Sequence, residues 1–126
     1  MIQIICIGAG GFLGAISRFL VSKSMGRYFP HFPFGTLTVN VLGSLLLGFI
    51  SYSILYGKNL SPEWRGLINI GFIGAFTTMS TLAFETTRIA DMGQTTTAIV
   101  NMAANVFLCL LAVVIGRFAA IACKTI

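Results

Sequence analysis

Four long apolar stretches dominate this sequence and leave little chain outside them. They cover about residues 2–20, 36–56, 67–87 and 95–122. Each is close to the roughly 20 residues that a helix needs to cross the hydrocarbon of a bilayer. Only 9% of the 126 residues are charged and 56% are hydrophobic, which is far from the composition of a soluble domain. The sequence therefore predicts an all-α integral membrane protein with four transmembrane helices.

The segments between these stretches are short and carry the residues of turns. They read KSMGRYFPHFP, YGKNLSPEW and ADMGQ, which leaves no room for a second domain. The first apolar stretch lacks the basic residues that begin a secretory signal peptide, so we expect it to remain in the protein. His31 stands alone in the first loop, where we expect an interfacial residue. Because no catalytic constellation accompanies it, the protein is not expected to be an enzyme.

The positive charge is balanced between the two sides of the predicted membrane protein. The net charge is +5, but the basic residues lie in loops and near span ends, where they anchor to lipid headgroups, so nucleic-acid binding is not expected. The side of the termini holds Lys58, Arg65, Arg117 and Lys124, and the opposite side holds Arg18, Lys23, Arg27 and Arg88. Such a balance gives no preferred orientation. It is consistent with a dual-topology antiparallel dimer, and also with chance in a protein of few charges.

Small residues in the first stretch indicate close helix packing. Gly10 and Gly14 are four residues apart and share one helical face, where small side chains let two membrane helices approach. Arg18 continues that face to the end of the span. It is either a lipid anchor or a positive charge that faces a water-filled vestibule.

Two of the other stretches carry polar residues at intervals of four. They are Thr36, Asn40 and Ser44 in the second stretch and Asn101, Asn105 and Cys109 in the fourth. An unpaired side-chain amide in hydrocarbon costs several kcal/mol, so these faces must meet another helix or water. The stripes are therefore either interhelical hydrogen bonds or the lining of a polar pathway.

The third stretch contains GFIGAFTTMSTLAFE, residues 71–85, in which Gly71 and Gly74 precede four hydroxyl residues within five positions. Glycine and clustered hydroxyls weaken a helix, so a break is predicted between about residues 74 and 77. The alternative is an intact helix whose hydroxyls bond back one turn. Glu85 is the one carboxylate in the four stretches. The many amide and hydroxyl donors favour a small anion on such a pathway, without excluding a cation or a polar solute.

Three segments together resemble the CrcB/Fluc fluoride channels, a family of small four-span bacterial membrane proteins. They are GGFLGAISRF (10–19), GTLTVNVLGSLLLGF (35–49) and GFIGAFTTMSTLAFE (71–85). The resemblance covers nearly the whole chain. It implies that residues 1–126 form a single four-helix transmembrane channel domain with a broken third helix. The implied function is passive fluoride export across the bacterial inner membrane, by an antiparallel homodimer with two pores.

The resemblance also gives expectations for individual residues. Together with the donor stripes it implies a pore lined by Thr36, Asn40, Met79, Ser80, Thr81, Leu82, Asn101, Asn105 and Cys109. Arg18 would lie at the aqueous vestibule. The backbone carbonyls of Gly74 and Thr77 would hold a structural sodium ion shared by both subunits at the dimer axis. Fluoride and membrane lipid are the other expected partners, and Glu85 matches a family carboxylate to which we assign no mechanism.

One departure from the family pattern leaves alternatives open. The family typically reads TTFSTF, in which two phenylalanine ring edges face fluoride, whereas this chain reads TTMSTL, with Met79 and Leu82 at those places. The protein is therefore either a homodimer or one subunit of a heteromeric channel. Two other classes compare less well. A small four-span proton-coupled drug antiporter depends on a first-span carboxylate that this chain lacks, and a non-transporting assembly subunit would use the glycines and asparagines for packing alone.

Overall fold

The computed structural model describes residues 1–29 and 32–123, so His31 and Lys124 lie outside the described residues. The regular elements of these two ranges are all helical. They are α1 (Ile2–Tyr28), α2 (Phe34–Leu55), α3 (62–76), α4 (Met79–Asp91) and α5 (Thr95–Ala122). The third predicted span corresponds to α3 and α4 together.

Four helical segments are long and apolar enough to cross a membrane, as predicted. They are Ile2–Tyr28, Phe34–Leu55, Pro62–Asp91 and Thr95–Ala122. The first is longer than its apolar stretch, because the polar sequence VSKSMGRY continues the helix to Tyr28. At 1.5 Å per residue its 27 residues span about 40 Å, more than the roughly 30 Å of hydrocarbon. The last turns of α1 therefore extend beyond the apolar layer.

The third span combines two helical types, α and π, with one break. Within α3, Pro62–Arg65 and Gly74–Phe76 are α-helical, and Gly66–Ile73 between them is π-helical. The helix ends at Phe76, and Thr77 and Thr78 are extended, with ψ angles of 158° and 120°. The predicted interruption is confirmed. It lies at 77–78, after the glycines, and the π-helical segment was not predicted.

Helices α1 and α3 are in backbone-to-backbone contact through glycine. A Cβ on Gly10 would collide with the carbonyl oxygen of Leu67, and one on Gly71 would collide with that of Ile7. Gly14 is equally tight against α3, and both Gly10 and Gly14 are buried. The prediction that these two glycines form a packing face is confirmed, and the contact fixes the first half of the third span against α1.

Helices α2 and α5 form the other close pair. A Cβ on Gly48 would lie 2.6 Å from the Val113 carbonyl oxygen, and one on Gly116 would lie 2.7 Å from the Phe49 nitrogen. This approach brings the two predicted polar stripes together in the protein interior. Close packing of the C-terminal halves of α2 and α5 thus holds together the polar residues of their N-terminal halves.

Substitution of Gly71 by alanine tests the α1–α3 contact. The added methyl group meets the backbone of α1, so Gly71→Ala is expected to lower the free energy of unfolding by about 1–3 kcal/mol. Gly8→Ala is the matched control, because a Cβ at Gly8 has nothing within 4 Å. It is expected to change stability by less than about 1 kcal/mol. Denaturant unfolding in detergent, followed by circular dichroism, measures both, and equal effects would contradict the packing role of Gly71.

Candidate functional site

The break in the third span is held by one side chain from α2. The Oδ1 atom of Asn40 accepts the backbone N–H of Thr78 at 2.8 Å, and its Nδ2 atom donates to the Thr78 carbonyl oxygen at 3.1 Å. In a continuous helix the Thr78 amide would donate to the Gly74 carbonyl. Asn40 therefore replaces the hydrogen bond that the Thr78 amide loses, as an apolar surrounding requires, and adds a second bond to the Thr78 carbonyl, which as the N-cap carbonyl also begins α4.

The two predicted stripes meet at Asn40 and continue along α5. The Nδ2 atom of Asn40 donates to Asn105 Oδ1 at 2.9 Å, and Asn105 Nδ2 donates to the Asn101 carbonyl at 3.1 Å. Asn101 Nδ2 in turn donates to Thr86 Oγ1 on α4 at 2.9 Å. Interhelical hydrogen bonding, one of the two interpretations of the stripes, is thus present. Both amide hydrogens of Asn40 are used by protein acceptors.

The start of α4 is stabilised by its own hydroxyl groups. Thr78 is the N-cap residue: its Oγ1 accepts the Thr81 backbone N–H at 3.2 Å and donates to Thr81 Oγ1 at 3.0 Å. Ser80 Oγ lies 3.2 Å from the same oxygen. Because Thr78 has one hydroxyl hydrogen and gives it to Thr81, Ser80 must be the donor in that contact. The hydroxyl hydrogen of Thr81 remains available to a ligand.

A cleft of about 300 Å³ opens beside the break. It is lined by Asn40, Gly43, Ser44, Leu47, Ile73, Thr77, Thr78, Met79, Leu82, Asn105, Val106 and Cys109. The two residues at the family's phenylalanine positions differ in exposure, since Leu82 is 2% exposed and Met79 is 64% exposed. The Leu82 side chain is therefore part of the protein core, and that of Met79 lies on the surface of the chain.

The structure divides the nine predicted pore-lining residues between several places. Asn40, Met79, Leu82, Asn105 and Cys109 share the cleft. Ser80 and Thr81 lie on the exposed side of α4, and Asn101 is fully buried beside Thr86. Thr36 is buried on α2 near the Glu85 carboxyl group. The cleft and the surface beside it thus hold seven of the nine, and Asn101 and Thr36 lie outside it.

Two residues that contribute to the site, Thr86 and Gly43, were not predicted by any pattern in the sequence. Thr86, whose hydroxyl oxygen accepts a hydrogen bond from the Asn101 amide, lies between Glu85 and Thr87 and belongs to none of the predicted polar stripes. Gly43 is buried against the Thr77 side chain, so a larger residue there would push α2 away from the break. Its spacing of five from Gly48 does not place the two on one helical face.

The carbonyls at the break are suited to a cation. The Gly74 carbonyl lacks the Thr78 donor that a continuous helix would supply, because that N–H is bonded to Asn40. The Thr77 carbonyl faces the guanidinium of Arg18, whose Nη1 atom is 3.5 Å away. Helix C-terminal carbonyls carry partial negative charge, and free carbonyls are ligands that sodium takes in membrane proteins. The Gly74 carbonyl therefore fits the predicted ion, whereas the Thr77 carbonyl already faces the positive charge of Arg18.

Glu85 lies apart from this cleft. It is half-buried, and its Oε2 atom is buried without a hydrogen-bond partner among the described residues. A second cavity, of about 440 Å³, includes Glu85 and Arg88 together with residues of the first loop. Across residues 1–29 and 32–123, no group of three or more histidine, cysteine, aspartate and glutamate side chains is arranged to hold a metal ion.

The structure has four spans, of which the third is broken and held by Asn40. These features define a class of multi-pass α-helical membrane proteins with a polar site at membrane depth. Residues 5–117 match the model of one family, described as CrcB-like protein, Camphor Resistance (CrcB). Because this match covers most of the chain, the protein belongs to the CrcB-like family, and the resemblance seen in the sequence is confirmed.

Several relatives of this chain carry the same descriptive name. It is 46% identical over 115 residues to the fluoride-specific ion channel FluC of Campylobacter lari, covering 90% of this chain and 93% of the relative. It is 39% identical to fluoride-specific ion channel FluC 1 of Methanosarcina acetivorans, covering 96% and 92% of the two chains. The corresponding channel of Shewanella amazonensis is 40% identical, with 93% and 94% covered.

Replacement of Asn40 by aspartate tests its role at the break. Aspartate keeps an acceptor for the Thr78 amide but loses both donors, so carbonyl oxygens of Thr78 and Asn105 are left facing a carboxyl group. Asn40→Asp is expected to lower the free energy of unfolding by about 1–3 kcal/mol. Asn59→Asp, in the exposed loop after α2, is the matched control and is expected to have no measurable effect. Thermal unfolding in detergent compares the two, and an unchanged Asn40→Asp protein would remove Asn40 from this role.

Proposed function

We propose that this protein is a fluoride-selective channel that lets fluoride leave the cell passively across the inner membrane. The observation that carries the proposal is the match over about nine-tenths of the chain to relatives named fluoride-specific ion channels. The broken span agrees with it, because irregular backbone at membrane depth is tolerated where it is buried in protein or lines a cavity. The protein is a channel and not an enzyme.

The distribution of charged groups supports an anion as the transported ion. The sequence has three acidic residues, and Glu85 is the one within the four predicted stretches, near the end of the third and away from the cleft. Arg18 places a positive charge beside the break. A proton-coupled antiporter needs an intramembrane carboxylate on its path, and α1 carries none. The channel is therefore favoured over the antiporter.

The nine predicted lining residues remain our proposal for the pore, with unequal roles. Because both amide hydrogens of Asn40 bind protein oxygens, Asn40 positions the break and does not offer a free donor in this arrangement. The Thr81 hydroxyl has a hydrogen to spare and is exposed beside Met79 and the cleft. Thr81 is therefore the donor that we expect to contact the ion, with Ser80 next to it.

The exposed side of the break supports a dimer. Gly74, Ser80 and Thr81 are exposed on this chain at the depth of the third span's interruption. Polar groups at this depth are not stable against lipid tails, so another protein surface or water must cover them. A second copy, inserted antiparallel as the balanced basic residues permit, would cover them and give two pores. In that dimer the carbonyls of Gly74 and Thr77 would hold the structural sodium ion, which neutralises the carboxyl end of α3.

Fluoride efflux from liposomes tests the proposed function. Liposomes that contain only the purified protein are loaded with fluoride or with chloride, and efflux is followed with ion-selective electrodes. Fast efflux of fluoride with no efflux of chloride is expected. A folded protein that passes neither ion would contradict a self-sufficient channel and favour one subunit of a heteromeric channel. Equal fluxes would contradict selectivity.

Thr81 variants test the proposed donor in the same assay. Thr81→Val removes the hydroxyl without changing the side-chain shape and is expected to lower fluoride efflux by about tenfold, the effect of one lost hydrogen bond to a charged ligand. Thr81→Ser keeps the hydroxyl and is expected to retain most of the flux. Thr87→Val is the matched control, because the Thr87 hydroxyl bonds the Ala83 carbonyl of its own helix. Undiminished flux through Thr81→Val would exclude Thr81 as a donor.

A further inference from the structure

A chain of hydrogen bonds that runs in one direction leads from the break to Thr86, in the middle of α4. The Thr78 N–H donates to Asn40 Oδ1 at 2.8 Å, and Asn40 Nδ2 donates to Asn105 Oδ1 at 2.9 Å. Asn105 Nδ2 donates to Asn101 Oδ1 at 3.3 Å, and Asn101 Nδ2 donates to Thr86 Oγ1 at 2.9 Å. Each asparagine accepts through its oxygen and donates through its nitrogen to the next member.

The backbone amide of Thr78 fixes this direction. An N–H group donates and cannot accept, so the Asn40 oxygen must face Thr78. A rotated Asn40 amide would place its NH₂ group against the Thr78 N–H and its oxygen against two other oxygens, the Thr78 carbonyl and Asn105 Oδ1. The Asn101 backbone carbonyl, which can only accept, likewise fixes the Asn105 amide at 3.1 Å, and Asn105 Nδ2 then sets the orientation of the Asn101 side chain. A single terminal acceptor, Thr86, completes the series.

The member that donates to Thr86, Asn101, is closed to water. Asn101 is 0% exposed, Asn105 is 2% exposed and Asn40 is 7% exposed. A buried polar group that loses its partner has no alternative within reach, and networks of this kind act together. Loss of the last acceptor leaves an Asn101 amide hydrogen without its partner and is therefore expected to weaken the whole series.

The two ends of the chain lie on the same helix. Thr78 is the N-cap of α4, and Thr86 lies eight residues later, about 12 Å along the helix axis. The intervening members belong to α2 and α5. The hydrogen bonds thus form a closed loop that leaves α4 at its start, crosses α2 and α5, and returns to α4 two turns later. This loop fixes the axial position of α4 relative to both neighbours.

We propose that Thr86 is a positioning residue: as the terminal acceptor it pairs the Asn101 amide, ties α4 to α5, and through Asn101, Asn105 and Asn40 stabilises the break in the third span at Thr77 and Thr78. Thr86 has no contact with the cleft and acts through the asparagines alone. Its effect on ion passage rests on the proposed channel function. Its effect on the break does not.

Hydrogen exchange at the Thr78 amide is the readout that separates this role from simple packing between α4 and α5. In Thr86→Val the hydroxyl is replaced by a methyl group of the same size, and Thr78 is unchanged. Exchange of the Thr78 amide, measured by NMR on the full-length protein in detergent, is expected to become about fivefold to tenfold faster. Thr86→Ser keeps the acceptor and is expected to restore the original rate.

Thr87→Val is the matched control, since Thr87 is exposed and bonds only within α4. It is expected to leave the Thr78 exchange rate unchanged. A Thr86→Val protein whose Thr78 amide exchanges within twofold of the parent would overturn the proposal, as would an equal acceleration in Thr87→Val. If Thr86→Val does not fold, Thr86→Ala, which also lacks the acceptor, is judged by the same criterion.

Fluoride efflux of the same variants links the break to transport. Thr86→Val is expected to pass fluoride about fivefold more slowly than the parent, and Thr86→Ser at close to the parent rate. A parent protein without efflux would contradict the proposed channel, but the exchange measurement would still decide the role of Thr86. Faster exchange with unchanged flux would confine Thr86 to holding the break and overturn its link to transport.

Discussion

The structure depends on the satisfaction of one backbone group, the amide of Thr78, in an apolar surrounding. A helix that stops within a membrane leaves amide and carbonyl groups without partners, and each costs several kcal/mol if it stays unpaired. Asn40 supplies an acceptor and a donor to the same residue, at 2.8 and 3.1 Å. The break therefore persists because a side chain from another helix takes the place of the helical bond that the Thr78 amide lacks.

Close helix packing makes this replacement possible. An asparagine side chain is short, so α2 must lie near the break for Asn40 to reach it. Gly43, one turn after Asn40 on the helix, lies against the Thr77 side chain and allows that approach. Gly48 and Gly116 bring α5 equally close to α2. The glycines thus determine how closely α2 approaches the break and α5, and this closeness lets the asparagines form hydrogen bonds between the helices.

The two positions where the family typically has phenylalanine do not hold the packed helices and the break together. Leu82 is buried in the core and Met79 is exposed, so the helix packing around the break does not depend on aromatic rings at either place. Methionine presents a polarisable, flexible surface to whatever covers α4. The exposed hydroxyls of Ser80 and Thr81 beside it require a polar or protein environment. A covering subunit would therefore complete the environment of the proposed pore.

The sequence by itself determined the four spans, the interruption of the third and the glycine face of α1, because each depends on local pattern: hydropathy over about 20 residues, clustered helix-weakening residues and four-residue spacing. Only the tertiary structure decided which donors are used and which are free. The spacing of Asn101 and Asn105 predicted a shared face but not Thr86 as their end point. Hydrogen-bond partners across helices are set by axial register, which no local pattern encodes.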